Sequence, residues 1–84
     1  MMEVRRKRLL FQAHHRGSRE ADILIGRFAD AEVAGMDEAE IIAFETMLDL
    51  PDIDLVNWVM GRTVPPPEND TPILRRLMAF HGRV

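Results

Sequence analysis

The sequence predicts an all-α fold, a compact bundle of about five short helices. Apolar residues recur at helical spacing in five stretches, and each stretch begins or ends at a residue typical of a helix boundary. No stretch shows the alternation of apolar and polar residues that marks a strand. The chain has 84 residues, of which 46% are hydrophobic, enough for one core. We therefore expect one helical domain over residues 1–84.

The first two helices are predicted to meet at a glycine. The first covers residues 3–16, and Gly17 ends it, because glycine adopts the left-handed conformation without a steric penalty. Ser18 is the predicted cap of the second helix, which has the most regular apolar stripe in the chain. The expected inward-facing residues are Leu9, Leu10 and Ala13, followed by Ala21, Leu24, Ile25, Phe28 and Ala29.

Capping signals define the next two helices. Asp37 with Glu40 three residues later resembles a capping box and begins the third helix. Pro51 closes that helix, because the residue before a proline disfavours helical backbone. Asp52 is then the expected cap of a fourth, short helix that ends at Gly61.

A proline-rich connector leads to the fifth helix. The stretch VPPPEND, residues 64–70, predicts stiff extended chain. Thr71 as a cap with Pro72 in the first turn begins the last helix. Its expected inner face carries Ile73, Leu74, Leu77, Met78 and His81.

The distribution of charge argues against general nucleic-acid binding. Residues 1–19 carry six Lys or Arg and one acid, whereas residues 20–70 carry thirteen acids and two bases. Such an acidic body opposes the many phosphate contacts that nucleic-acid binding needs, and the run RRKR is explained equally by a solvated helix face. No apolar run approaches the roughly 20 residues of a membrane span. We expect a cytoplasmic protein that binds neither nucleic acid nor membrane.

The sequence shows no arrangement of residues typical of an active site or a metal site. His14 and His15 are neighbours on a helix, so their side chains point about 100° apart and do not share an ion easily. There is no cysteine and no glycine-rich phosphate loop. Helix geometry does not aim Ser18, His14 and Glu20 as a triad. We therefore expect no catalytic residues, no metal site and no tightly bound cofactor.

The stretch HHRGSRE, residues 14–20, is the best candidate for a docking surface. Gly17 turns the chain tightly, and a side chain there would hold a partner's backbone away. Arg16 can make forked contacts to a carboxylate or to carbonyls, and Glu20 can bond either Arg16 or a cation on a partner. The alternative is an ordinary capped turn between two helices. Trp58 also has two interpretations, a core residue or an anchor at an interface.

Two segments together resemble the succinate dehydrogenase FAD assembly factors, the SdhE family. RGSRE matches their Arg-Gly-x-x-Glu motif, and LPDIDLVNWVMG resembles their second signature. The matching positions of the second segment are Leu50, Asp54, Leu55, Asn57, Trp58 and Gly61.

The resemblance implies a small helical protein that binds the flavoprotein subunit of succinate dehydrogenase, and in some bacteria that of fumarate reductase. Such proteins promote covalent attachment of FAD to a histidine of that subunit. By this match the partner-binding residues are Arg16, Gly17 and Glu20, to which we add Arg8, His15 and Trp58. The alternative function is a small helical protein–protein adaptor or a DNA-associated regulator.

Overall fold

The computed structural model describes residues 3–82 and consists of five α-helices joined by turns. No strand occurs within this range, so the predicted all-α fold is confirmed. None of these helices has the length and apolar character needed to cross a membrane. The helices are α1 (Val4–His14), α2 (Arg19–Glu32), α3 (Glu38–Met47), α4 (Asp52–Val59) and α5 (Pro72–Phe80), with 3-10 turns at Val33–Gly35 and Pro67–Asn69.

Helix α2 lies at the centre of the bundle. It packs against α1, α4 and α5, while α3 packs against α5. The core forms around Phe28 of α2 and Phe44 of α3, whose rings meet edge to face with centroids 5.4 Å apart. That arrangement is the favoured geometry for aromatic pairs. The other large side chains that are fully buried are Leu9, Ile25, Ile41, Leu55, Leu74, Leu77, Val33 and Val59.

Three predicted helix caps are confirmed. Ser18 Oγ accepts a hydrogen bond from the backbone N–H of Ala21 at the start of α2. Asp37 and Glu40 form a reciprocal capping box at the start of α3. At the start of α5, Thr71 Oγ1 accepts from the backbone N–H of Leu74. Each cap satisfies an N–H group that the helix itself leaves without a partner.

Three boundaries differ from the sequence-based expectation. Helix α3 ends at Met47, before the turn that leads to Pro51. Helix α1 ends at His14 rather than at residue 16, so Arg16 lies in the turn itself. Asp52 is the first residue of α4 and not its cap; Pro51 holds the cap position and offers no side-chain hydrogen bond there. The connector also differs, since a 3-10 turn at Pro67–Asn69 interrupts the extended chain.

The basic start of α1 makes polar contacts with two other parts of the bundle. Arg5 makes a forked contact to Glu45 of α3, with N–O distances of 3.0 and 2.6 Å. Arg6 donates to the backbone carbonyls of Val33 and Met36, at 2.5 and 2.7 Å, just past the end of α2. Half of the run RRKR is therefore occupied within the chain, which weakens its interpretation as a phosphate-binding patch.

Candidate functional site

The turn between α1 and α2 is open on its outer side. Gly17 has φ +99°, a conformation that side chains strain, so the backbone itself calls for glycine. A Cβ built on Gly17 would meet no atom within 4 Å. The space in front of this glycine is therefore free for another molecule.

Arg16 is fixed by residues from the far side of the sequence. Its Nε donates to Asp52 Oδ1 at 2.8 Å, and its Nη2 donates to the carbonyl of Leu50 at 3.2 Å. Its backbone N–H donates to the carboxylate of Asp22. The side chain is only 12% exposed. The forked contact expected of Arg16 is thus made inside the chain, and it joins RGSRE to the second signature.

One end of the Arg16 guanidinium stays available. Nη1 makes none of the hydrogen bonds found for Arg16, which involve its backbone N–H, Nε and Nη2. Within residues 3–82, no buried side-chain nitrogen or oxygen lacks a hydrogen-bond partner. Nη1 therefore reaches the surface, where it can donate to an acceptor from outside the chain.

Glu20 lies near Arg62 rather than near Arg16. Its Oε2 lies 3.8 Å from Arg62 Nη2, and both side chains are more than half exposed. Arg16 pairs with Asp52 instead, so the alternative of an Arg16–Glu20 bond is not what the chain forms. An exposed pair at this distance contributes little to stability. Glu20 is consequently accessible to a partner at low energetic cost.

An exposed aromatic pair borders the turn. The rings of Phe11 and His15 stack with centroids 3.9 Å apart, and His15 Nδ1 lies 2.7 Å from the carbonyl of Phe11. Phe11 is 63% exposed. Both side chains line an open groove of about 240 Å³ between α1 and the end of α3. We call it the α1–α3 groove. It is lined by Phe11, Gln12, His15, Arg16, Glu45, Leu48 and Asp49.

Arg8 lies on the exposed side of α1, near this groove. The pKa of Glu45 is held below its ordinary value, first by the hydrogen bond from Arg5 and with a smaller contribution from the charge of Arg8. Arg8 is therefore close enough to add positive potential beside the α1–α3 groove.

Trp58 belongs to the core of the described chain. It is 5% exposed and packs in the same apolar cluster as Leu55 and Val59 of α4. Of its two interpretations, the core position is the one seen in the free protein. Trp58 thereby fixes α4, whose first residue, Asp52, holds Arg16.

Sequence reasoning missed three groups of this site: the carboxylates of Asp22 and Asp52 and the carbonyl of Leu50. Arg16 and Asp52 are 36 residues apart, so no helical spacing relates them. The sequence contains only an indirect indication that these groups belong to the site. Leu50 and Asp52 lie in the segment LPDIDLVNWVMG, which resembles the second signature.

The family model and the relatives that match this chain all bear names that refer to the assembly or flavinylation of succinate dehydrogenase. A family model described as flavinator of succinate dehydrogenase matches residues 7–81. The FAD assembly factor SdhE of Acetobacter pasteurianus is 44% identical over 77 residues, which cover 92% of this chain and 71% of that protein. Succinate dehydrogenase assembly factor 2, mitochondrial, of Dictyostelium discoideum is 34% identical over 88% of this chain, and its counterpart in Cryptococcus neoformans is 37% identical over 86%. The chain spans 52% and 42% of the length of these two mitochondrial proteins.

Proposed function

Since this chain belongs to the succinate dehydrogenase flavinator family, we propose that it binds the flavoprotein subunit of succinate dehydrogenase through the turn at Gly17 and promotes covalent attachment of FAD there. The observation that carries the proposal is the Arg16–Asp52 pair, because it brings the two segments that resemble the family onto one surface. That surface comprises Arg16, Gly17 and Glu20, with Arg8 and His15 beside them, while Trp58 supports it from the core.

The proposed action is positioning rather than catalysis by this chain. The turn is partly ordered before it meets a partner, because three hydrogen bonds hold Arg16, the residue before Gly17. A preorganised surface loses little conformational entropy on binding. It can therefore hold the flavoprotein in the geometry that brings its acceptor histidine to the flavin, which lowers the barrier by orientation alone.

The cofactor in this proposal belongs to the partner. The chain has no glycine-rich phosphate loop, and its five glycines are scattered, so it is proposed to act on FAD bound to the flavoprotein rather than to carry FAD. A fumarate reductase flavoprotein is a further proposed partner. The proposed compartment is the cytoplasm, with the bacterial relative as support.

Co-expression with a succinate dehydrogenase flavoprotein subunit, in cells lacking their own assembly factor, tests the proposal. Covalent flavin is read as fluorescence of the denatured subunit in a gel. The wild-type chain is expected to produce a fluorescent band, whereas Arg16→Ala and Gly17→Arg are expected to lose it while staying helical. Arg75→Ala is the control, since Arg75 makes a forked contact to Asp70 that lies outside the turn and on the exposed surface.

The proposal fails if the band appears without this chain and no complex is found by gel filtration. A normal band with both Arg16→Ala and Gly17→Arg would leave the family's activity intact but refute the assignment of the site. Affinity for DNA that falls steeply with added salt would instead favour a DNA-associated regulator.

A further inference from the structure

We propose that the α1–α3 groove binds an extended, uncharged segment of the flavoprotein, and that Arg16 Nη1 donates a hydrogen bond to a main-chain carbonyl of that segment. This inference rests on the proposed function and specifies the chemistry of its contact surface. Arg16 lines the groove, and its Nη1 makes no hydrogen bond to residues 3–82. An arginine that is already held in place donates to an incoming acceptor with little further loss of side-chain entropy.

The charges around the groove select the acceptor. Asp52 balances the charge of Arg16, and Arg5 balances that of Glu45. Asp49, which is exposed, adds a further carboxylate to the lining. Arg8, beside the groove, offsets the charge of Asp49, so the groove carries no excess positive charge that would attract a carboxylate or phosphate, whereas a neutral carbonyl can still accept from Arg16. The groove is therefore suited to peptide backbone.

The aromatic wall supplies the apolar contact. The ring of Phe11 stacks against the ring of His15, and Phe11 is 63% exposed. It therefore presents an apolar surface to the solvent. In an extended segment, successive side chains point to opposite sides. One apolar side chain of the partner can thus cover Phe11 while the neighbouring carbonyl accepts from Arg16, which is the pattern of recognition by extended peptides.

Asp52 acts in this scheme as a positioning residue. Its Oδ1 takes the Nε edge of Arg16, and the carbonyl of Leu50 takes one N–H of Nη2. Together they turn the remaining edge of the guanidinium outward. Asparagine at position 52 keeps an oxygen acceptor for Nε, whereas alanine removes it.

The test is the affinity of purified variants for the succinate dehydrogenase flavoprotein subunit, measured by titration calorimetry. Asp52→Asn is expected to change Kd by less than about threefold, because the hydrogen bond to Arg16 persists. Asp52→Ala is expected to weaken binding about tenfold, although Arg16 is still present. Phe11→Ala is expected to weaken binding about tenfold as well. Val64→Ala is the matched control, since Val64 is 88% exposed and does not line the groove.

Each contrary result has a distinct meaning. Tighter binding by Asp52→Asn would show that Arg16 meets a carboxylate, because removal of the competing charge would then strengthen the contact. Wild-type affinity of Asp52→Ala would refute the positioning role. A Phe11→Ala variant that binds like Val64→Ala would refute the aromatic wall. Absence of any complex with the wild-type chain would refute the proposed function itself, and the groove assignment with it.

Discussion

Gly26 of α2 lies so close to His14 of α1 that a side chain there would meet the imidazole ring, which leads to a prediction about stability. A Cβ built on Gly26 would lie 2.5 Å from His14 Nδ1 and 2.7 Å from His14 Cε1. The ring can move away only at the cost of its contact with Asp30, whose Oδ1 lies 2.8 Å from Nε2. Gly26→Ala must therefore displace the imidazole and break that contact.

Two opposing effects determine the size of the change. Alanine in a helix interior is more favourable than glycine by about 1 kcal/mol. Loss of the contact between His14 and Asp30 costs about 0.5–1 kcal/mol, and displacement of the ring costs packing in addition. Gly26→Ala alone is therefore expected to be neutral or slightly destabilising. In a His14→Ala background the same substitution is expected to stabilise the protein by about 1 kcal/mol.

The measurement is a double-mutant cycle of unfolding free energies from denaturant titrations of the four proteins. A coupling of about 1 kcal/mol is expected, equivalent to roughly 4–8 °C in Tm for a domain of this size. If Gly26→Ala stabilises both backgrounds equally, the imidazole does not limit the approach of the two helices and the reasoning is wrong.

Three further predictions concern single sites. Gly17→Ala should destabilise the protein by about 1 kcal/mol, because the backbone of Gly17 has a positive φ. Gly35→Ala should not, because Gly35 has no positive φ, and a Cβ at either position would meet no atom within 4 Å. Denaturant titrations of the two variants compare these effects. Phe28→Ala should cost about 3–5 kcal/mol, a large part of the stability of a small domain, and its thermal unfolding should shift accordingly. Because Arg5 lowers the pKa of Glu45 from its ordinary 4.5, the stability lost in Glu45→Gln should be fully evident above pH 4.5 and should vanish as pH falls through the folded-state pKa. An equal difference at pH 7 and about pH 2 would contradict this.

Local signals were sufficient for the helices. The caps at Ser18, Asp37 and Thr71 lie where the sequence places them, because each depends on a hydrogen bond to an N–H only three residues away. The apolar stripe of α2 was equally readable, since burial follows the period of the helix. The predicted end of α1 lay two residues too late, because no local rule sets how far a helix continues before a glycine turn.

The electrostatics of the site were not readable in the same way. Asp52 has the residue type of a cap, yet it is the first residue of α4 and its carboxylate accepts from Arg16, 36 residues away. Arg5 and Arg6 looked like part of a solvated basic face, but their partners, Glu45 and the carbonyls after α2, come from distant segments. Long side chains choose among partners only after the helices have packed, so periodicity and capping rules carry no information about that choice.

The pairing of Arg16 with Asp52 also bears on the order in which the protein becomes competent to bind. Helices α1 and α2 are adjacent in sequence, so their contacts close a shorter loop than those with α4. The acceptors on Asp52 and Leu50 arrive only when α4 docks against α2. A newly made chain with only its first two helices in place would carry the Arg-Gly turn without an oriented guanidinium. Presentation of an oriented Arg16 therefore requires that α4 has docked, and a chain without that contact would present the turn in a less ordered form.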